Sequence, residues 1–159
     1  MDTKRFYETC RHESGHCVVA HALGCRPIQV IAATTGGLCR WERHGPAAPV
    51  EQMVLAVAGP IAASMFAHWT PPADCRPGPA LMAADDASDH AETMCDRDCV
   101  ELAICRLQSS PDTEREAADF ADRMVTKILL GRMHQVRLVA DLAFQFGELD
   151  AELLAKCFE

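Results

Sequence analysis

Five consecutive residues, His12-Glu13-Ser14-Gly15-His16, carry the chemistry that the chain most plainly offers. They lie inside a run from Lys4 to Leu23 that reads as a helix. Residues four apart on a helix sit one turn above each other on one face. His12 and His16 can therefore present two imidazoles to one tetrahedral Zn²⁺. Glu13 projects from the adjacent position, where it can reach a metal-bound water and take its proton as general base. The plain alternative is a pair of structural histidines beside a solvated glutamate. The flanking Val18, Val19, Ala20, Ala22 and Leu23 argue against it, because they make the helix apolar and buried. Polar groups inside such a helix need partners. Gly15, a poor helix former, removes bulk beside the first histidine.

The elements that must hold these residues follow in order. Asp2 or Thr3 can cap the first helix, and Gly24 stops it. Pro27 to Thr34 is β-branched and apolar and reads as a strand. Thr35-Gly36-Gly37 is a turn, and Leu38 to Glu42 alternates as a returning strand. An exposed strand beside a metal helix can pair with a substrate backbone, since an edge offers unpaired N–H and C=O groups. An ordinary hairpin has the same sequence pattern. A second helix is expected from Pro49 or Val50 to about His68, apolar nearly all round, with Gly59-Pro60 kinking or breaking it. Thr70 to Leu81 holds four prolines and reads as a long loop, either functional or a plain connection. Asp85, Asp86, Ser88 and Asp89 can cap a helix running on through Leu107. Ser110-Pro111-Asp112 opens a further helical stretch from Thr113 to Phe146, either interrupted at Gly131 or continuous. Gly147 ends it, and a short helix spans Asp150 to Phe158.

The chain has 159 residues, 49% of them apolar, which suits one domain, 1–159, with a real core. Its net charge of −8 disfavours nucleic acid and anionic membrane as main partners. The opening MDTKRFYETC has no export signal, and no apolar run is long enough to span a membrane. Nine cysteines without a C-x-x-C pair then read as free thiols in a reducing cytoplasm. No phosphate-binding G-x-x-x-x-G-K-[ST] loop is present, so no ATPase is intrinsic.

A catalytic zinc usually takes three protein ligands and one open position. The metzincin continuation is absent, since Val19 and Ala22 occupy its places. His21 lies about 140° round the helix from His16 and points away. The acidic cluster of Asp85, Asp86 and Asp89 is the best remaining source of a third ligand, although capping and solvation account for most aspartates of this kind.

The chain resembles the peptidase domain of the ATP-dependent zinc proteases called FtsH. The matching pieces are the H-E-S-G-H motif, the strand and glycine-rich turn of Ile28 to Gly37, and Val57-Ala58-Gly59-Pro60-Ile61-Ala62-Ala63 in place of a Gly- and Ala-rich helix. Ser88-Asp89-His90 stands where the family has a short stretch whose Asp is the third zinc ligand. The spacing of Leu129, Val136, Leu142, Leu149 and Leu153 fits its C-terminal helices. The resemblance covers nearly the whole chain, and the metal motif is its one specific element. It implies a mainly helical α+β domain with a small β-hairpin or sheet beside the motif helix. It also implies Zn²⁺ on His12, His16 and Asp89, with Asp86 the fallback and Asp85 behind it, and hydrolysis of peptides or unfolded segments with Glu13 as base. The family assembles into hexameric rings, which leaves a homo-oligomer open. The family's ATPase module and membrane segments are missing, and Ser64-Met65 replaces its acidic pair. A metal-binding interaction domain without turnover is therefore the competing expectation. Cys95 and Cys99, four apart with His90 nearby, could hold a second zinc, but buried free thiols are the commoner case. His44, His68 and His134 read as ordinary residues.

Overall fold

The computed structural model describes residues 2–73, 77, 96–107 and 111–159. Helix α1 (Thr3–Ala22) starts where Asp2 caps it, its carboxylate accepting from the N–H groups of Lys4 and Arg5 at 3.1 and 3.2 Å. It ends at Leu23, and Gly24 takes the positive φ of 80° that turns the chain into β1 (Arg26–Ala32). Strand β1 pairs antiparallel with β2 (Gly37–Glu42), with a register shift between Pro27 and Gln29. Helix α2 (Pro49–Met65) is anchored by Glu51, whose carboxylate accepts from the Ala48 N–H at 2.9 Å and from Arg43 at 2.7 Å. It runs unbroken through Gly59-Pro60, so of the expected kink or break the break does not occur, and it stops three residues before His68.

Helices α3 (Asp96–Leu107), α4 (Pro111–Gly131) and α5 (Met133–Phe146) follow. The helical stretch after Pro111 is interrupted, as one of the two expectations had it: Arg132 departs to φ −125° and ψ 24° and separates α4 from α5. Gly147 closes α5 at φ 76°. A three-residue strand β3 (Glu148–Asp150) then pairs with β1, giving the sheet order β2-β1-β3. Asp150 caps the last helix α6 (Ala151–Cys157), accepting from the Leu153 N–H at 2.9 Å. The architecture is thus mainly helical with one small antiparallel sheet. Among the described residues no helix is long and apolar enough to cross a membrane.

Helix α1 stands between two apolar clusters. On one flank Val18, Val19 and Ala20 pack with Met53, Val54 and Ala58 of α2 and with Ala121, Val125 and Leu129 of α4. On the other, Phe6, Tyr7, Cys10 and Cys17 pack with Val30 of β1, Ala140 and Phe144 of α5, and Leu154 of α6. The approach of α1 to α2 depends on Gly15. A Cβ there would lie 2.4 Å from the Ala62 methyl and 2.6 Å from the Ala58 carbonyl oxygen. At its outer end α1 is tied down by guanidinium and aromatic groups. Buried Arg11 donates to the carbonyls of Ala67 and Trp69 at 3.2 and 2.8 Å. Arg137 donates to Asp141 and to the Thr70 carbonyl, and it lies over the Trp69 ring. Tyr7 donates to Asp141. These contacts hold the exit of α2 at Ala67 to Thr70 against α1 and α5.

Candidate metal centre

The motif residues are set into an enclosed part of α1: Glu13, Ser14, Gly15 and His16 are buried, and His12 is half-buried. His16 lies with its Nδ1 at 2.8 Å from the Leu55 carbonyl oxygen of α2. A carbonyl can only accept, so the ring proton belongs on Nδ1 and Nε2 carries the lone pair, on the side of the ring that meets His12. Second partners of this kind fix the ring and tautomer of a metal-binding histidine. The His12 Nε2 stands 3.2 Å from the His16 Nε2, with the rings 67° apart in plane. Two nitrogens each about 2.0–2.1 Å from one tetrahedral ion lie about 3.3–3.4 Å apart. The spacing and the donor type therefore fit a shared zinc.

Two glycines clear the space. Gly59 of α2 faces both imidazoles, and a Cβ there would lie 2.3 Å from the His16 Nε2 and 2.5 Å from the His12 Nε2. Gly37, the first residue of β2, faces Glu13, and a Cβ there would lie 2.5–2.7 Å from the glutamate's Cγ, Oε1 and Cδ. Sequence reasoning assigned Gly59 to a kink and Gly37 to a turn. Each also permits a close approach, which is the other common reason for glycine inside an element.

The three motif side chains open into one cavity of about 880 Å³. Its walls are the Arg5-to-His16 face of α1, the Gly37-to-Trp41 side of β2, and Leu55 and Ala56 of α2, with Leu102 of α3 closing one side. Strand β2 pairs only with β1 among the described residues, so its other edge borders this cavity unpaired.

The structure places the remaining sequence candidates as follows. Asp85, Asp86, Asp89, His90 and Cys95 lie outside the described residues, so the third-ligand expectation and the second-zinc alternative are not placed. Among the described residues no group of three His, Cys, Asp or Glu side chains comes together as a metal site. Cys99 lines the cavity. His21 points away from the pair, as helix geometry requires. It stacks on Phe158 at 4.0 Å, and burial followed by the charge of Arg132 lowers its pKa. His44, His68 and His134 are exposed. Cys10 and Cys17 are buried, and burial foremost pushes the Cys10 thiol well above its usual range. Cys39 of β2, which borders the cavity, contacts Cys17 behind the motif. That contact and burial raise its pKa as well.

The chain matches no protein-family model, and no curated protein matches it.

Proposed function

We propose that the chain is a zinc-dependent metallopeptidase domain of the FtsH-like kind. The observation that carries this reading is the convergence of the two Nε2 atoms at 3.2 Å, with the His16 Nδ1 against the Leu55 carbonyl and buried Glu13 beside them. His12 and His16 are two of the protein ligands, and Asp89, or else Asp86, is the third. Zinc bound there would supply a Lewis acid that acidifies water and polarises a peptide carbonyl.

The chain's own residues supply the rest. Glu13, held in place by the gap at Gly37, accepts a proton from the attacking water and delivers it to the departing amine. The edge of β2 that is unpaired among the described residues aligns an extended peptide by backbone hydrogen bonds, and the apolar wall of Leu38, Trp41 and Leu55 takes a side chain of it. An extended segment fits such an edge and a folded domain does not, so the substrate is a peptide or an unfolded stretch of protein. The support from sequence is the family resemblance of the motif, the strand and the α2 segment.

The test is Glu13→Gln. The variant is expected to bind zinc as the parent does, because Glu13 is not a ligand, and to lose peptide hydrolysis by about 100-fold or more. Undiminished hydrolysis in Glu13→Gln would remove the general-base role. Zinc binding by the parent with no hydrolysis of any unstructured peptide would favour the interaction domain instead.

A further inference from the structure

Helix α4 turns one stripe to the core and leaves another uncovered among the described residues. Ala121, Val125 and Leu129 are fully buried, whereas Phe120 is 48% exposed. Phe120, Arg123, Met124, Lys127, Ile128 and Gly131 line a groove of about 620 Å³ that belongs to no part of the candidate metal centre. Helical geometry puts Glu116 on the same stripe, since eleven residues make three turns to within about 20° and Glu116 stands eleven before Lys127. The stripe therefore reads acidic, apolar, basic from its N-terminal end: Glu116, then Phe120 and Met124, then Arg123 and Lys127. None of these charged groups forms an ion pair among the described residues, although Asp119 and Arg123 have the i, i+4 spacing for one.

We infer that this stripe is a self-complementary surface on which a second copy of the chain docks, α4 against α4 and antiparallel. A partner of a single charge sign would suit one end of the stripe and be repelled at the other. A second copy turned end for end suits both. With the two-fold axis between residues 121 and 122, Glu116 faces the partner's Lys127, and the same pair recurs at the other end. Phe120 then packs beside the partner's Met124 with the partner's Arg123 against its ring, an apolar contact with a cation–π component. Interfaces that repeat one patch about a two-fold axis are the commonest way in which identical chains associate. One helix stripe buries less than the roughly 800 Å² per partner of a standard interface, so the dimer is weak and concentration-dependent. The inference stands apart from the metal reading.

The test is sedimentation equilibrium on the full chain from about 1 µM to about 1 mM, a range that brackets affinities of weak dimers. The parent is expected to dimerise within it. Glu116→Lys and Lys127→Glu, both at exposed positions, are each expected to weaken the dimer about tenfold or more, since each makes two attractive pairs repulsive. An equimolar mixture of the two variants is expected to associate again, because every facing pair is then of opposite sign. Phe120→Ser is expected to abolish association, with the far-ultraviolet circular dichroism of all variants unchanged. A parent that stays monomeric throughout overturns the inference, and so does a dimer that both charge reversals leave intact. Failure of the mixed variants to associate overturns the antiparallel register.

Discussion

Gly59→Ala separates the fold from the metal centre more sharply than any ligand substitution. The added methyl would lie 2.3 Å from one Nε2 and 2.5 Å from the other, where ordinary contact begins at 3.4 Å. Each ring tip must therefore withdraw by about 1 Å, which the far ends of two side chains can do without moving backbone. Zinc sites tolerate ligand displacements of only about 0.2 Å. The shift exceeds that several-fold, so zinc affinity should fall by at least about 100-fold, more than the usual cost of losing an outer-shell partner. Stability should change little. Alanine gains about 1 kcal/mol over glycine inside a helix, and crowding of the ring tips costs about 1–3 kcal/mol. The net loss of at most about 2 kcal/mol corresponds to a Tm shift of about 8 °C or less in a chain of this size. The assay is a zinc titration against a chromophoric chelator, beside a thermal melt of the metal-free protein. A Gly59→Ala protein that binds one zinc with the parent's affinity would refute the reasoning, because the two nitrogens could not then be converging where the structure has them.

Three further outcomes follow from the same packing. Gly37→Ala should push the Glu13 carboxylate aside, cutting peptide hydrolysis about tenfold or more while zinc stoichiometry stays at the parent's value; equal loss of both would count against a separate role for Glu13. Gly15→Ala meets the Ala58 backbone and the Ala62 methyl rather than a mobile side-chain tip, so it should cost about 1–3 kcal/mol or more in urea denaturation, in contrast to Gly59→Ala. Alkaline pH should destabilise the fold. Burial pushes the Cys157 thiol from 9.0 up to about 11 and raises Tyr7 above its ordinary 10.0. Both groups stay neutral in the folded chain and ionise earlier in the unfolded one. The Cys157 contribution is complete below about pH 9 and is lost as pH rises through about 11, while that of Tyr7 starts to fall only above about pH 10, so the urea midpoint should fall between pH 8 and pH 11; a flat profile would contradict it.

Much of the frame was legible because it is local. The Asp2 cap, the Gly24 stop, the hairpin at Gly36-Gly37 and the Pro111 start each depend on a few neighbouring residues, and the i, i+4 histidines need only one turn of helix. What was not legible depends on distant partners. Strand β3 is three residues long and exists because β1 offers a second edge, 119 residues away at the Gln29 and Glu148 side-chain contact. Gly59-Pro60 looked like a breaker because the sequence does not reveal what faces it, namely two imidazoles on another helix. The Leu55 carbonyl has no side-chain signature at all. The ties from Arg11, Tyr7 and Arg137 to Trp69, Thr70 and Asp141 join segments with no periodic relation to one another.

The position of α1 between two apolar clusters has a thermodynamic consequence. Neither cluster has a complete wall without that one helix, so the sheet with α5 and α6 cannot melt while α2 and α4 remain packed around an intact α1. Heating should produce a single calorimetric transition whose van't Hoff and calorimetric enthalpies agree. The backbone amides of residues 13–20 should exchange with solvent only through that global event. A ligand bound at His12 and His16 would then raise the melting temperature of the whole chain, including α6, which lines no part of the cavity at those histidines among the described residues.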